Sequence, residues 1–406
     1  MSRVVLGVSG GIAAYKACEV LRRLREAGHD VTVVPTENAL RFVGETTFAA
    51  LSGRPVATDV FTDASAIPHV RLGREADLVL VAPATADLLA RQTAGRADDL
   101  LTNVLLTATC PVLVCPAMHT EMWLHPATQH NVSVLRDRGV IVLDPASGRL
   151  AGADSGVGRL PEPAEIAGVA ESLLAPGGAA GVSALDLTGL TVLVSAGGTH
   201  EAIDPVRYIG NASSGRMGVE IARAASLRGA KVTLVAAHLE VQPPSSVDVR
   251  TVVTTGDLAT AMAEAAAASD VVVMAAAPAD FTPRSSSGTK IKKTGDEGLS
   301  LDLVQTPDVL AALTSSRPHG QTIVGFAAET VDDEEALVSA GRAKLARKGA
   351  DLLVVNDVSG GKVFGMPDTS VLILDATGVR DRVTAGKAVV AHRLLDAVVR
   401  HRATAT

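Results

Sequence analysis

Two pairs of segments repeat across the chain, and they constrain its architecture more than any other feature. EAGHDVTVVPTE, from Glu26, is echoed by LRGAKVTLVAAH, from Leu227, and EADLVLVAPATAD, from Glu75, by SDVVVMAAAPAD, from Ser269. Each contains a short apolar run bounded by polar or glycine-containing segments, the pattern of a buried strand. Around them the chain alternates. Val4 to Val8 is apolar, Ser9-Gly10-Gly11 is a turn, and Ile12 to Ala27 is helical in period and stops at Gly28. Further strands are predicted at Val31 to Val34, Leu78 to Val81 and Val112 to Cys115. Strands alternating with helices imply a mostly parallel sheet covered on both faces. The expectation is an α/β chain with two Rossmann-like domains in series. The seam is LAPGGAAGVSALD, Leu174 to Asp186, small and flexible in composition, which sets the domains at 1–180 and 181–406.

In the second half, TVLVSAGG (Thr191 to Gly198) reads as a strand, and Val219, Ile221, Ala222, Ala225 and Leu227 recur at helical spacing. Between them DPVRYIGNASSGRMG, Asp204 to Gly218, reads as a polar loop. Ser213, Ser214 and Gly215 fall where the helix begins, so its unpaired N–H groups and dipole favour an anion. Arg207 and Arg216 add cations, and Asn211 offers amide donors and an acceptor. The same residues also suit an N-cap serine pair with surface arginines.

Other candidate groups lie at strand ends, where open α/β sheets bind ligands. Ser9, Gly10 and Gly11 can cradle a phosphate, and Thr36 and Thr85 supply hydroxyls. Neither glycine loop fits GxGxxG, which disfavours a dinucleotide and leaves a mononucleotide. His69 precedes a strand, and PAMHTEMW packs Met118, His119, Met122 and the sole Trp together. GADSGVGRL, with Arg159, suits a lid or a plain surface loop. TKIKKTGDEGLSLDLV (Thr289 to Val304) reads as a β-hairpin flap carrying Lys290, Lys292 and Lys293. Lys344 and Lys348 share a helix face, and Asp280 ends a strand where a carboxylate can hold Mg²⁺ or a ribose hydroxyl.

A net charge of −7 and 2% aromatic residues give neither the basic stripe nor the stacking platforms of a nucleic-acid binder. No apolar run approaches the roughly 20 residues of a membrane span, and the start MSRVVLGVSGG lacks a signal-peptide layout. Cys18, Cys110 and Cys115 form neither a disulfide framework nor a CxxC metal motif, which fits a reducing cytoplasm.

In order along the chain stand GGIAAYK, HVRLGREADLVLVAPATAD, PAM-x-x-x-MW, G-x-D-x-G-x-GR, DPVRYI-x-N-x-SSG-x-MG, AAAPAD, KIKK and VGFAAET. This series resembles the bifunctional phosphopantothenoylcysteine decarboxylase/phosphopantothenate–cysteine ligase family of bacterial coenzyme A synthesis, over nearly the whole chain. The resemblance implies an N-terminal flavodoxin-like FMN-binding domain that oxidises the cysteine thiol end of its substrate, so that CO₂ leaves from a species with an electron sink, and then returns the hydride. His69 matches the family's catalytic histidine; Gly10, Gly11, Thr36 and Thr85 match the flavin site; Arg159 matches the lid loop. Two departures stand out. His119 replaces the family's asparagine, and Gly152 replaces the lid-loop cysteine that donates the final proton, leaving Asp154, His119 or a flavin-bound proton as the substitute.

The resemblance further implies a C-terminal nucleotide-binding ligase domain with a β-hairpin flap. It uses CTP with Mg²⁺ to make an acyl-cytidylate of 4′-phosphopantothenate, which L-cysteine then displaces. Asn211 matches the residue associated with that intermediate and Lys290 the flap lysine. Asp280, Pro307, Asp308, Val309, Leu310, Phe326, Lys344 and Lys348 match nucleotide positions, with Asp280 also toward the metal. Arg207, Ser213, Ser214 and Gly215 match the substrate loop, in which Gly210 stands where serine is commoner and Arg216 where lysine is commoner. The family's trimeric decarboxylase and dimeric ligase contacts imply a dodecamer. The competing expectation is an active ligase whose decarboxylase half is impaired and serves as a flavin-binding regulatory module.

Overall fold

The computed structural model describes residues 1–58, 68–149, 154–178, 182, 185–292, 298–330, 333–357 and 368–405. Gly152, Lys293 and Gly181, the first residue of the expected second domain, lie outside the described residues. The chain forms two compact units, Met1–Leu174 and Ala175–Thr406.

In the first unit, β1 (Arg3–Val8), β2 (Asp30–Pro35), β3 (Leu78–Ala84), β4 (Val112–Pro116) and β5 (Ile141–Val142) form a parallel sheet in the order 2-1-3-4-5. This is the flavodoxin-like winding, whose topological switch falls between β1 and β3. All seven residues of β3 are buried, as a strand covered on both faces requires. A hairpin of β6 (Ala146–Arg149) and β7 (Ser155–Arg159) follows. The segment expected as a lid loop therefore ends in a paired strand. Trp123 and Met118 pack into the core beside β3 and β4, whereas Met122 is exposed.

The second unit is built on a mixed sheet in the order β12-β11-β8-β13-β16-β17-β18-β19. Its strands are β8 (Thr191–Ala196), β11 (Lys231–Ala236), β12 (Asp248–Thr251), β13 (Val271–Met274), β16 (Thr322–Glu329), β17 (Leu352–Asp357), β18 (Asp368–Asp375) and β19 (Gly378–Gly386). Pairing is parallel from β12 to β17 and antiparallel beyond. Helices Arg216–Leu227 and Lys387–Ala405 pack on one face with Val194, Val324 and Val354. Helices Thr255–Ala266, Val309–Ser315 and Glu334–Lys348 cover the other face.

Two readings need correction. The polar loop between β8 and its helix contains an antiparallel hairpin, β9 (His200–Asp204) with β10 (Arg207–Gly210). Buried Asp204 shapes its turn, accepting from the N–H groups of Val206 and Arg207 at 2.8 and 2.9 Å. The flap's paired arms are β14 (Phe281–Pro283) and β15 (Leu303–Gln305), which lie outside most of the predicted stretch. Residues 289–292 are not strand, and the expected turn falls partly outside the described residues. Among the described residues no helix is long and apolar enough to cross a membrane.

Candidate functional sites

In the first unit three strand ends each open a helix at the β1/β3 switch. After β1, Gly11 starts the short 3₁₀ turn Ile12–Ala14, which runs into the helix Tyr15–Glu26. After β2, Thr36 caps Glu37–Leu40, its hydroxyl accepting from Ala39 N–H at 3.2 Å. After β3, Thr85 caps Ala86–Thr93, accepting from Leu88 N–H at 3.3 Å. Each threonine hydroxyl keeps its proton for a ligand acceptor. Ser9 behaves differently from the expectation. It is buried, donates to the Pro83 carbonyl at 2.8 Å and accepts from Thr85 N–H at 2.9 Å, so it fastens the β1 loop to the β3 loop. Gly10 has no room for a side chain, since a Cβ there would lie 2.3 Å from Asn38 Cβ. Helix starts, hydroxyls and a close backbone approach together suit a phosphate-bearing flavin.

His119 caps the helix Thr120–Leu124 just beyond β4. Its Nδ1 bonds Glu121 and its Nε2 lies 3.3 Å from Asp154. The structure thus joins the two substitute proton donors and adds a third group. Glu121 first, and Asp154 after it, hold the imidazolium above the ordinary histidine range. The β6–β7 hairpin rests on this loop, with Met118 N–H donating to Gly158 at 3.0 Å. Arg159 pairs with Glu162, which also meets Lys16 at 3.3 Å.

His69 has no described hydrogen bond to these groups. Its helix, Pro68–Glu75, packs on Leu100–Thr107, and its carbonyl accepts from the Thr107 hydroxyl at 2.9 Å. Nδ1 of His69 is buried and, among the described residues, has no partner. No described hydrogen bond joins His69 to the glycine loop.

In the second unit a cavity of about 1040 Å³ opens where the parallel strands end. It gathers Asn211, Ser213, Ser214, Gly215, Arg216, Asp280, Pro307, Asp308, Val309, Leu310, Phe326, Lys344 and Lys348. Local chemistry explains the gathering. Gly215 has φ +73°, which favours glycine, and caps Arg216–Leu227 without a side-chain bond, so the first helical N–H groups face the cavity. Gly218 lets that helix approach β8, because a Cβ would lie 2.5 Å from Ala196 Cβ. Buried hydroxyls hold the loop after β13: Ser195 accepts from Ala276 N–H at 3.1 Å and Thr199 from Ala279 N–H at 2.8 Å. Asn211 Nδ2 donates to the Pro278 carbonyl at 2.8 Å, which orients its amide at the rim.

Lys344 pairs with Glu329 at 2.9 Å, and Lys348 pairs with Asp308. Burial alone would raise the Asp308 carboxyl; the bonds from Lys348 and Ala311 N–H outweigh it and lower it. Asp280 is exposed. Among the described residues no group of three or more His, Cys, Asp or Glu could hold a metal. A single carboxylate beside phosphates is nevertheless the usual protein share of a nucleotide-bound Mg²⁺ site, and Asp280 fits that share.

Two predicted residues are not in the cavity lining. Arg207 pairs with Asp204 and donates to the Ile291 carbonyl at 3.0 Å, which ties the β9–β10 hairpin to the flap segment. Lys290, exposed, is carried beside that tie, where Ile291 N–H donates to Asp204 at 3.1 Å. The cavity also contains Lys387, Asn356 and Glu240, which no motif reading indicated.

The two units define a flavoprotein-type domain followed by a pantothenate-metabolism domain. Residues 1–174 match the Flavoprotein family, and residues 187–401 match the DNA/pantothenate metabolism flavoprotein C-terminal domain family. The chain is 55% identical over 404 residues to the coenzyme A biosynthesis bifunctional protein CoaBC of Mycobacterium tuberculosis, covering 98% of this chain and 96% of that one. It is 53% identical to the Mycolicibacterium smegmatis protein of that name, covering 98% and 97%, and 42% identical to the Escherichia coli one, covering 88% and 86%. The chain belongs to the coenzyme A biosynthesis bifunctional protein family, with a flavoprotein decarboxylase domain and a ligase domain.

Proposed function

We propose that the C-terminal half joins 4′-phosphopantothenate to L-cysteine at the expense of CTP, and that the N-terminal half decarboxylates the product with FMN. In the first step a carboxylate oxygen of phosphopantothenate attacks the α-phosphorus of CTP and pyrophosphate leaves. The cysteine amine then attacks the acyl carbon, loses a proton and expels CMP. Pyrophosphate departure concentrates negative charge, which Lys344, Lys348 and the flap lysine Lys290 neutralise, with Mg²⁺ held through Asp280. Asn211, oriented by the Pro278 carbonyl, presents its remaining amide hydrogen and oxygen to the acyl-cytidylate.

In the flavin half, Gly10, Gly11, Thr36 and Thr85 hold the FMN, with Ser9 positioning the two loops between which it lies. The flavin supplies a reversible two-electron oxidation of the substrate thiol. His69 takes part in proton transfer, and His119 with Asp154 returns the final proton that the family's lid-loop cysteine would give. Arg159 holds the hairpin through Glu162. A flavin site completed by a neighbouring subunit is part of this reading. The family resemblance adds trimeric decarboxylase and dimeric ligase contacts, hence a dodecamer. Three free cysteines suit the reducing cytoplasm.

The observation that carries the proposal is the single cavity holding Asn211, the Ser213 to Arg216 helix start, Asp280, Lys344 and Lys348. The test is mass spectrometry after incubating the flavin-loaded protein with 4′-phosphopantothenate, cysteine, CTP and Mg²⁺. Phosphopantetheine, CMP and pyrophosphate are expected. Accumulating phosphopantothenoylcysteine would favour the regulatory-module alternative for the first half, and no product would refute both activities.

A further inference from the structure

Residues 275–280 run from the end of β13 to the start of β14 and belong to neither strand, so their backbone groups need partners outside the strand pairing. The Ala277 N–H donates to the Gly197 carbonyl at 2.8 Å, and the Pro278 carbonyl accepts from Asn211. Ala279 is buried, and its peptide groups are met by hydroxyls. Its N–H donates to Thr199 Oγ1 at 2.8 Å, and its carbonyl accepts from the hydroxyls of Thr306 at 2.6 Å and Thr255 at 3.4 Å. The Thr199 and Thr255 hydroxyl oxygens lie 2.9 Å apart, and both residues are fully buried. Since Thr255 gives its proton to the carbonyl, Thr199 gives its own to Thr255. A ring through the Ala279 N–H, Thr199, Thr255 and the Ala279 carbonyl then closes with one proton in each bond.

The ring is braced from the helix side. Thr255 is the first residue of the helix Thr255–Ala266, and its N–H donates to the Glu201 carboxylate at 2.7 Å. A carboxylate suits that place, because the unpaired N–H groups and the dipole of a helix start both favour it. Glu201 is itself buried, on β9, the strand paired with the β10 arm that leads to Asn211. On the far side of the segment, Thr306 N–H donates to the Asp280 carbonyl at 3.0 Å. Asp280, Pro278 and Asn211 line the ligase cavity; Thr199, Thr255 and Glu201 lie behind it.

We propose that Thr199 and Thr255 are positioning residues for ligation: their hydroxyl ring, braced by Glu201, fixes residues 277–280 so that the Asp280 carboxylate and the Pro278 carbonyl that orients Asn211 keep their places together. The assignment rests on the ligase reading, in which Asp280 holds the metal and Asn211 meets the acyl-cytidylate. One buried ring then governs both. Neither threonine lines the cavity, so each acts through the Ala279 peptide. Removing either hydroxyl opens the ring; without Thr199 the buried Ala279 N–H also loses its acceptor, and the segment must shift to find another. Reaction geometry tolerates such a shift poorly.

The test compares the full-length wild type with Thr199→Val, Thr199→Ser, Thr255→Val and the Thr199→Val/Thr255→Val double variant. Thr191→Val is the control, because the Thr191 hydroxyl bonds Asp270 and the Ala268 carbonyl at the opposite end of β8. Pyrophosphate release gives kcat, the KM values and the half-saturating Mg²⁺ concentration, and hydrogen exchange reads the Ala279 N–H. Thr199→Val should lower kcat about 10–100-fold with little change in the KM for 4′-phosphopantothenate, raise the Mg²⁺ requirement and strip the Ala279 N–H of protection. Thr199→Ser should recover most of the loss. Since the ring opens at either hydroxyl, Thr255→Val should act alike, and the double variant should be little worse than either single one. Thr191→Val should melt earlier with wild-type kcat and Mg²⁺ dependence. Kinetics of Thr199→Val that match those of Thr191→Val, or losses that add in the double variant, would overturn the proposal; if Thr199→Val does not fold, Thr255→Val against Thr191→Val decides it. A wild type that releases no pyrophosphate would remove the ligase reading itself, and Ala279 protection that still falls in both threonine variants would separate the two failures.

Discussion

Replacing Gly10 with alanine should empty the flavin site while leaving most of the first unit folded. The added Cβ would meet Asn38 Cβ at 2.3 Å and the Asn38 carbonyl carbon at 2.8 Å. The second atom is backbone, so no rotamer change relieves it. The start of Glu37–Leu40 must withdraw by roughly 1 Å, at a cost of about 1–3 kcal/mol for overpacking. Thr36 would move with it, because its N–H donates to Val8 at 2.9 Å and its hydroxyl caps Ala39. If that displacement is what flavin binding must reverse, the affinity falls about 5–150-fold. Gly11 is the control. Its φ of −160° is extended backbone that any residue adopts, and a Cβ there meets Thr85 Cγ2 at an ordinary 3.6 Å. The assay is reconstitution of the apo-protein with FMN, followed by flavin fluorescence, alongside thermal melting. Gly10→Ala should bind FMN weakly and melt earlier, and Gly11→Ala should melt like the wild type. Wild-type FMN affinity in Gly10→Ala, or equal destabilisation by both substitutions, would refute the steric argument.

Two pH responses follow from charges elsewhere. Glu121 is the larger cause of the raised His119 pKa, so Glu121→Gln should move the alkaline limb of phosphopantothenoylcysteine decarboxylation to lower pH, and Asp154→Asn should move it less; a limb that stays in place would remove His119 as the proton donor. His392, on the C-terminal helix, is fully buried with both ring nitrogens unpartnered among the described residues, and burial first, then Arg228, lowers its pKa to about 4. Its neutral form is the native one, so the unfolded chain binds the extra proton between the ordinary pKa of about 6.5 and about 4, and stability falls on acidification through that window. Urea unfolding should lose roughly 2 kcal/mol between pH 7 and pH 5 through this residue. His392→Leu should flatten that share of the slope, and an unchanged slope would show that other groups carry it.

The fold was legible because parallel strands covered on both faces leave continuous apolar runs, and β1, β3, β8 and β13 all announce themselves that way. The antiparallel pieces were harder to read. The β9–β10 hairpin carries few apolar residues, yet Asp204 and Pro205 between alternating segments were a turn signal that could have separated it from a loop. The flap's arms are three residues each, too short for any period to register.

Site residues divide along a similar physical line. Groups that follow a strand within one motif, such as Ser213 to Arg216 or Asp280, are placed by local geometry, and their sequence neighbourhood exposes them. Lys387 begins the last helix more than 150 residues after Arg216, and only the packing of Lys387–Ala405 on Arg216–Leu227 brings the two cations together. No local pattern encodes that meeting. Ser9 and Arg207 show the converse. Both sit inside strong motifs, and the motif reading assigned both to a ligand. The buried Ser9 hydroxyl is instead used between two strand ends, and the Arg207 guanidinium is used by Asp204 and the Ile291 carbonyl. A polar residue near a ligand can serve the reaction by fixing the loops that touch it, and the sequence pattern is the same in either case. Only the direction of its hydrogen bonds separates the two roles: Arg207 Nη1 bonds Asp204 and the Ile291 carbonyl, whereas Lys387, which lines the cavity, has no such partner among the described residues.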